Sequence, residues 1–322
     1  MKAIQQKGDA LHWEDVPDPV LSKNEVLVTV HAAGVNRADL AQRAGHYAPP
    51  SGASEILGLE VAGRVAAFGP GAKNTDFKVG NEVCVLLSGG GYAEQVAVSA
   101  DLLIPVPTGW TLTEAAGLPE TFLTAYLNLF VEAGLTPGES VLIHGGGSGV
   151  GTAAIALARE AGCTVFATAG TLEKIALCER LGATGINYRE QDFLELVTQG
   201  GGVDVILDMV GADYLERNLK ALNQGGRLVV IATLSGSLGT LDLRTLMSKR
   251  LTLKGSTLRS RPLEEKAALT QSFLHRFGAA LAARRLEPVI DSVFPIEEVE
   301  RAHDRMRQNL NGGKLILTLP KT

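Results

Sequence analysis

The feature that most constrains this chain is a glycine-rich turn between an apolar run and an alanine-rich run. The stretch VLIHGGGSGVGTAAIALAREAG, residues 141–162, places five glycines in the seven positions 145–151. A strand, a glycine-rich turn and a helix in this order are typical of the first βα unit of a dinucleotide site. There a diphosphate accepts hydrogen bonds from free backbone N–H groups at the helix N-terminus. We therefore predict a strand that ends at His144 and a helix that begins near Val150.

The predicted phosphate-binding loop follows that strand directly. Its cofactor-binding residues are Gly146, Ser148, Gly149, Val150 and Gly151. We expect Gly146 to make the tight turn, Gly149 to approach the diphosphate and Gly151 to allow close helix packing. The spacing departs from G-x-G-x-x-G, because Gly147 and Gly149 stand two apart but Thr152 takes the last position. A glycine-rich turn that binds nothing is the alternative; the surrounding strand and helix pattern favours the dinucleotide.

The choice between NAD and NADP depends on the residues after the second predicted strand, TVFATAG. An NAD site usually offers a carboxylate to the ribose diol, whereas an NADP site offers small and cationic groups to the 2′-phosphate. Gly170 ends this strand, and Thr171 and Lys174 supply a hydroxyl and an ammonium. Tyr188 is expected beside the adenine. These residue types favour NADPH as the cofactor. Two alternatives stay open: an inward-pointing Glu173 would permit NADH, and a Lys174 that points into solvent would contact neither cofactor.

Two domains are expected, because 322 residues exceed the size at which one core usually keeps growing. The early part, for example NEVLVTVHAAGV at 24–35, has the alternation of β-strands and is broken by turn sequences such as GPGA. From about residue 122, apolar runs of strand length alternate with helical runs, as in a parallel sheet. The predicted fold class is α/β: a β-rich domain over 1–121, completed by 262–322, and a doubly wound Rossmann domain over 122–261.

Composition and charge exclude several classes of function. The chain is 45% hydrophobic with a net charge of −5 and no basic block, so nucleic acid is not expected as a partner. No stretch approaches a membrane span and the first residues lack a signal-peptide core, so we expect a cytoplasmic protein without membrane contact. Cys84, Cys163 and Cys178 are scattered without a CxxC pair, which favours reduced structural thiols over disulfides or zinc ligands.

Over nearly its whole length the chain resembles the medium-chain dehydrogenase/reductase superfamily. The segments that carry the resemblance are VNRADLAQRAGHY, GLEVAGRV, GPGA, KVGNEVCVL, GGYAEQVAV, LPETFLTAYLNLF, GESVLIHGGGSGVG and AHDRMRQNLNGGKLIL. The zinc-dependent alcohol dehydrogenases of that superfamily place a Cys where this chain has Val35 or Asn36, a His where it has Leu59, and a four-Cys lobe in the first domain. None of these ligands is present, so no metal site is predicted. Without a Lewis acid the acceptor must already be electrophilic, as a quinone or an α,β-unsaturated carbonyl compound is.

Among the zinc-free members the chain resembles the zeta-crystallin-type NADPH quinone oxidoreductases, in particular the subgroup whose mammalian member is induced by a tumour-suppressor transcription factor. The segments NRADLAQRAGHYAPPSGASEILGLEVAGRV and HGGGSGVGTAAI carry this likeness. It implies a GroES-like catalytic domain, a homodimer, and metal-free hydride transfer from NADPH to a small-molecule quinone in a cleft between the domains. The kind of quinone and a one- or two-electron outcome stay open. The alternatives are an NADPH-dependent enone or enal reductase and a crystallin-like protein that binds NADPH without catalysis.

The same resemblance implies a catalytic set of three residues. Asn36 is an amide able to donate to a developing oxyanion, Tyr47 stacks on the cofactor or quinone ring, and Thr124 faces the nicotinamide. The structural alternatives are a cap or turn role for Asn36, loop packing for Tyr47, and a bond from Thr124 to its own helix. On the far side of the cofactor, Leu258 is expected to offer backbone to the nicotinamide amide, and Asn311 to lie near the cofactor or cleft.

Overall fold

A computed structural model describes residues 1–72 and 76–320 of the chain. The chain divides into two compact units: unit 1 comprises Met1–Leu123 and Arg259–Thr322, and unit 2 comprises Thr124–Leu258. Unit 2 is therefore inserted between two segments that together build unit 1. No helix of the described residues is both long and apolar enough to cross a membrane.

Strands and helices are distributed over both units. The strands are β1 (Lys2–Lys7), β2 (Ala10–Asp15), β3 (Glu25–Val35), β4 (Glu60–Phe68), β5 (Glu82–Leu86), β6 (Gln95–Ser99), β7 (Leu103–Pro105), β8 (Ser140–Ile143), β9 (Thr164–Ala169), β10 (Thr184–Asn187), β11 (Val203–Asp208), β12 (Leu222–Val230), β13 (Thr252–Gly255), β14 (Ile290–Pro295) and β15 (Lys314–Thr318). The helices are α1 (Arg37–Arg43), α2 (Leu112–Ala115), α3 (Pro119–Tyr126), α4 (Gly149–Glu160), α5 (Leu172–Arg180), α6 (Phe193–Gln199), α7 (Leu215–Ala221), α8 (Leu243–Ser248), α9 (Leu263–Ala282) and α10 (Val299–Arg307). Short 3₁₀ turns span Ala100–Leu102, Ala212–Tyr214 and Ile296–Glu298, and a π-helical turn spans Leu127–Glu132.

Unit 1 is built on a mostly antiparallel sheet. The strand order is β14-β15-β3-β4-β5-β7, with β6 paired on β3 and a separate hairpin of β1 and β2. Along β3, Val26, Val28 and Val30 are buried at every second position, which is the alternation seen in the sequence. Strand β15 pairs antiparallel with β3, with Leu315 opposite Val35, so the last strand completes a sheet that the first part of the chain begins.

Unit 2 is a parallel sheet of six strands in the order β10-β9-β8-β11-β12-β13. In the central strands, residues 141–143 of β8 and 205–208 of β11 are buried at successive positions, as expected of strands covered on both faces. The chain runs outward from β8 to β10 and then returns to β11 on the other side of β8. The strand order therefore reverses between β8 and β11, and ligands of such sheets bind at the carboxyl ends of the strands at this switch point. The predicted α/β class with a doubly wound parallel sheet is confirmed.

Candidate functional site

In unit 2, the glycine-rich turn starts at the carboxyl end of β8, at the switch point of the sheet. His144, the first residue after the strand, is buried and bonded to Thr168 Oγ1 at 3.0 Å and Asn218 Oδ1 at 2.7 Å. Burial lowers the pKa of His144 to about 4, so the ring is neutral and anchors the turn. Ser148 caps α4, because its hydroxyl oxygen accepts the Gly151 N–H at 3.0 Å.

Two glycines of this turn are required by packing. A Cβ on Gly151 would overlap the carbonyl oxygen of Gly145, and a Cβ on Gly146 would lie 2.7 Å from the Cys178 sulfur. The bare backbone thus leaves a cradle that side chains would fill. A diphosphate needs such a cradle to reach the N–H groups at the start of α4. The turn fits a dinucleotide, while the individual contacts assigned to Gly149 and Val150 stay predictions.

Lys174 runs along the same turn. A Cβ on Gly147 would lie 2.9 Å from carbon atoms of the Lys174 side chain. Thr171 caps α5, because its hydroxyl oxygen accepts the Lys174 N–H at 3.3 Å. Glu173 is exposed, and hydrogen bonds from its own backbone and from Thr171 lower the pKa of its carboxyl. The structure thus places the Lys174 side chain against the glycine-rich turn, and the Thr171 hydroxyl and the exposed Glu173 carboxylate at the start of the same helix.

Tyr188 lies against Gly170 at the end of β9. A Cβ on Gly170 would stand 2.5 Å from the Tyr188 hydroxyl oxygen, so glycine is needed for the tyrosine to lie there. The Tyr188 N–H donates to the Ala169 carbonyl at 3.1 Å, and the residue remains 40% exposed. A half-exposed aromatic ring at this edge of the sheet offers a face on which an adenine can pack.

Two hydroxyl groups of unit 2, Thr124 Oγ1 and Ser256 Oγ, are buried without a hydrogen-bond partner among the described residues. The Thr124 hydroxyl therefore does not bond its own helix, although the Thr124 carbonyl accepts Asn128 Nδ2 at 2.7 Å. Ser256 follows β13 directly, at the carboxyl edge of the sheet. An unpaired buried hydroxyl costs about 1–3 kcal/mol, so both groups fit a site that a polar ligand completes.

Sequence analysis missed Ser256, although its position directly after the last strand of the sheet was a usable signal. Leu258, two residues further on, has a buried side chain. Its predicted backbone contact with the nicotinamide amide stays a prediction.

Unit 1 holds a buried ion pair between Lys314 of β15 and Glu60 of β4. The Lys314 Nζ lies 2.5 Å from Glu60 Oε1, and the two side chains are 3% and 0% exposed. The ammonium also donates to Asn36 Oδ1 at 2.8 Å and to the Val35 carbonyl at 2.9 Å. The carboxylate also accepts Asn36 Nδ2 at 3.0 Å and the backbone N–H of Glu120 at 2.8 Å. Each charge therefore has three hydrogen-bond partners, which is the condition for burying an ion pair.

Asn36 is fixed by this ion pair. It is the N-cap residue of α1, and its backbone N–H donates to the Asp39 carboxylate at 2.7 Å. Its amide oxygen accepts from Lys314, and its amide nitrogen donates to Glu60 and, at 3.3 Å, to the Gly34 carbonyl. To donate to an oxyanion, the amide would exchange the longer bond to Gly34. The oxyanion role of Asn36 stays a prediction.

A second buried carboxylate, Asp39, ties α1 to its neighbours. It accepts the Tyr92 hydroxyl at 3.0 Å and the Gly58 N–H at 3.1 Å. His303 Nε2 lies 3.3 Å from the same hydroxyl. Burial raises the pKa of Asp39 to about 6 and lowers that of His303 to about 4. We assign this network to holding the loops of unit 1, because its hydrogen bonds join α1, α10 and the segments between strands.

Tyr47 is held by Arg259, a residue that sequence analysis missed. The guanidinium carbon lies 5.2 Å from the ring centroid, in a cation–π contact. Arg259 is buried and donates to the Tyr47 carbonyl at 3.2 Å, to Gln42 Oε1 at 2.6 Å and to the Ser88 carbonyl at 2.8 Å. Burial and the nearby Glu120 carboxyl raise the pKa of the Tyr47 hydroxyl, which therefore stays protonated and able to donate.

Asn311 orders the turn before β15, since its buried Nδ2 donates to the Gly313 carbonyl at 2.7 Å. Its predicted contact with the cofactor stays a prediction. In unit 1, the structure thus places Asn36 beside Lys314 and Tyr47 beside Arg259. In unit 2, it places Lys174 against the glycine-rich turn, Thr171 at the cap of the helix that carries Lys174, and Tyr188 against Gly170.

Within residues 1–72 and 76–320, no group of three or more His, Cys, Asp or Glu side chains is arranged to hold a metal ion. Cys84, Cys163 and Cys178 are buried free thiols. Burial raises the pKa of Cys178 to about 12, so this thiol is protonated at neutral pH.

Family models match both parts of the chain. Residues 22–108 match a model described as alcohol dehydrogenase GroES-like domain, and residues 149–273 match one described as zinc-binding dehydrogenase. A quinone oxidoreductase of Mus musculus is 34% identical over 315 residues, which span 95% of this chain and 92% of that protein. The Homo sapiens quinone oxidoreductase is 33% identical over 313 residues, with the same 95% and 92% coverage.

Solved structures share the whole architecture. A structure of an NAD-dependent alcohol dehydrogenase has a TM-score of 0.86 and 32% identity, covering 99% of this chain and 100% of that one. The CurK enoyl reductase has a TM-score of 0.85 and 28% identity, covering 99% of both chains. The quinone oxidoreductase of Thermus thermophilus, solved also as a complex with NADPH, has a TM-score of 0.82 and 34% identity, covering 99% of this chain and 100% of its own. The predicted pairing of a GroES-like with a Rossmann domain is confirmed.

Replacing Lys314 by Met should destabilise unit 1 strongly, because it leaves the Glu60 carboxylate buried without its cation. Loss of one partner of a buried pair costs about 3–5 kcal/mol. The measurement is the urea midpoint of unfolding, followed by circular dichroism. The control is Lys220→Met, which removes an exposed i,i+4 pair with Glu216 and should leave the midpoint nearly unchanged. Equal midpoints for both variants would show that the buried pair is unimportant for stability.

Proposed function

The chain belongs to the medium-chain dehydrogenase/reductase family, and within it we propose that the protein is a metal-free, NADPH-dependent quinone reductase. The family makes it an oxidoreductase that uses a nicotinamide cofactor. The observation that carries the quinone assignment is the 34% identity to a mammalian quinone oxidoreductase over 95% of the chain. The metal-free part of the proposal rests on the sequence, because Val35 or Asn36 stands where zinc-dependent relatives carry a Cys ligand and Leu59 stands where they carry a His ligand.

The residues of unit 2 support NADPH as the cofactor. The turn from Gly146 to Gly151 would hold the diphosphate, and Lys174 and Thr171 would hold the 2′-phosphate. The unpaired hydroxyls of Thr124 and Ser256 supply donors for a polar ligand. NADPH bound there supplies the hydride for the reaction. The similar quinone oxidoreductase of Thermus thermophilus was solved with NADPH, which supports the same choice here.

The residues of unit 1 support an acceptor that needs little activation. The Lys314 ammonium is neutralised by Glu60, so it is not available as a cation to polarise a substrate. Tyr47 offers a protonated hydroxyl and an aromatic face held by Arg259. These groups orient and hydrogen-bond a quinone, and proximity then supplies most of the rate.

A reductase of enones or enals is the second candidate. It is favoured by the likeness to the CurK enoyl reductase, which is 28% identical over 99% of this chain. The same fold can host reduction of a quinone or of an enone, so the fold alone does not distinguish between these two activities.

The direct test follows the loss of reduced-nicotinamide absorbance with NADPH and with NADH, in the presence of a chelator. The acceptors are an ortho-naphthoquinone, para-benzoquinone and methyl vinyl ketone. We expect chelator-resistant turnover of the quinones with NADPH preferred. Turnover of the enone alone would replace quinone reduction by double-bond reduction. Tight NADPH binding without any turnover would favour a non-catalytic binding protein.

Replacing Lys174 by Ala should raise the KM for NADPH about 10-fold or more and leave the KM for NADH nearly unchanged. The reason is that a hydrogen bond to a charged group contributes about 1.5–3 kcal/mol and NADH lacks the 2′-phosphate. Steady-state kinetics with both cofactors provide the measurement, and Lys220→Ala on the exposed face of α7 is the control. An equal rise for NADPH and NADH would remove Lys174 from 2′-phosphate recognition.

We also propose that two copies of the chain pair through the outer edge of unit 2. Strand β13 is the last strand of the sheet and all four of its residues are exposed. Exposed apolar side chains accompany this edge: Leu234, Leu238, Leu243, Met247 and Leu253. An unpaired strand edge with apolar neighbours is a surface that a second sheet edge can cover.

A substitution within β13 should therefore weaken the dimer. Leu253→Asp places a charge on the exposed edge, and we expect light scattering to report a shift from two chains to one. Val20→Asp is the control, because Val20 is an exposed apolar residue that belongs to unit 1 and not to this sheet. A wild-type protein that is monomeric at micromolar concentration would contradict the proposal.

A further inference from the structure

Glu120 is a carboxyl group of unit 1 that neither the sequence analysis nor the proposed function uses. It stands in the first turn of α3, and its backbone N–H donates to Glu60 Oε2 at 2.8 Å. The same carboxylate of Glu60 also accepts the Asn36 amide. The backbone of Glu120 is therefore anchored next to Asn36, the first of the two predicted substrate residues. The charge of Glu120 also acts on the hydroxyl of the second, Tyr47.

The carboxyl of Glu120 differs from its neighbours in having no hydrogen-bond donor within the described residues. Glu60 accepts three donors and is paired with Lys314. Asp39 accepts three donors as well. These two carboxylates are occupied in holding the fold, whereas Glu120 as a residue is only partly buried.

Charged and titratable groups from every neighbouring element act on Glu120. Glu60 of β4 and Asp39 of α1 oppose its ionisation, while Lys314 of β15 and Arg259 favour it. Lys266 of α9 and the Tyr47 hydroxyl also respond to its charge. Desolvation and Glu60 outweigh the cations and raise the pKa of Glu120 to about 8. At neutral pH most of the group therefore carries a proton, even though the start of a helix favours the anion.

We propose that Glu120 is the general acid that gives a proton to the oxyanion formed when hydride adds to the acceptor. The inference rests on the proposed function, and it deepens it by naming the proton donor. Such a step requires an acid whose pKa lies near the working pH and which can recover its proton from water. Asn36 and Tyr47 then orient the acceptor, and Glu120 completes the reduction.

The step balances without a further reagent. Hydride supplied by bound NADPH forms an O–H bond with one quinone oxygen, and an electron pair comes to rest on the other quinone oxygen. The O–H bond of the Glu120 carboxyl breaks, and an O–H bond forms on that oxygen to give the hydroquinone. The Glu120 carboxylate then takes a proton from water. For an enone the same proton goes to the enolate, so the inference applies to either acceptor.

The test compares Glu120→Gln with wild type and with Glu82→Gln, which removes an exposed carboxylate of unit 1 that pairs with Arg64. Because the protonated form is the active one, the wild-type kcat should fall as the pH rises through about 8. Glu120→Gln should lose about 100-fold in kcat at neutral pH and lack this alkaline fall. An electron-poor quinone, whose hydroquinone anion is a weak base, should be far less affected than para-benzoquinone. Glu82→Gln should behave as wild type.

An infrared measurement tests the proton without relying on turnover. At neutral pH, the difference spectrum between wild type and Glu120→Gln should contain the carbonyl stretch of a protonated carboxyl group. Its absence would overturn the inference, because an ionised Glu120 has no proton to give. A quinone-active wild type whose rate and pH profile match those of Glu120→Gln would overturn the inference alone. A wild type inactive with every acceptor would overturn the proposed function and the inference with it.

Discussion

The buried pair of Lys314 and Glu60 is the interaction on which the arrangement of unit 1 depends. It joins β15, near the end of the chain, to β4, and it orients the Asn36 amide and the first turn of α3 through direct hydrogen bonds. Removing two charges from water is expensive, and the attraction between them only roughly repays that cost. The pair therefore matters mainly because it fixes positions. Asn36, the first turn of α3 and β15 all bond to the Glu60 carboxylate, and they would lose this common anchor if either partner were missing. Of the predicted substrate residues, Asn36 stands on one of these segments.

The glycine-rich turn of unit 2 can form only because its glycines have no side chains. The turn after β8 packs its own backbone so closely that a Cβ on Gly151 would overlap a carbonyl oxygen, while Ser148 caps the helix that follows. The neutral ring of His144 bonds across to two neighbouring segments and holds the end of β8 in place. A cofactor cradle of this kind is preorganised, because the groups that would bind the ligand are already held by the fold.

Local patterns in the sequence predict much of this structure. The doubly wound sheet follows from the alternation of apolar runs and helical runs, and the start of α4 follows from the glycine-rich turn. Lys314 and Arg259 could not be found in this way, because their significance comes from partners distant in the chain. Lys314 lies 254 positions from Glu60, and no local pattern links the two. Glu120 looks like an ordinary acidic residue in a first helical turn, and only its surroundings, burial and the Glu60 carboxylate, raise the pKa of its carboxyl.

The pairing of β15 with β3 also has a consequence for how the chain is made. Residues about 280 positions apart must meet to complete this sheet, as Leu315 and Val35 do. Unit 2 lies in one continuous segment, whereas unit 1 lacks its closing strand until β15 (Lys314–Thr318) has been synthesised. During translation the edge of β3 that β15 covers, from Ala32 to Val35, stays unpaired until that strand is made. That nascent surface is where chaperone protection matters most and where substitutions would reduce yield before they alter the finished protein.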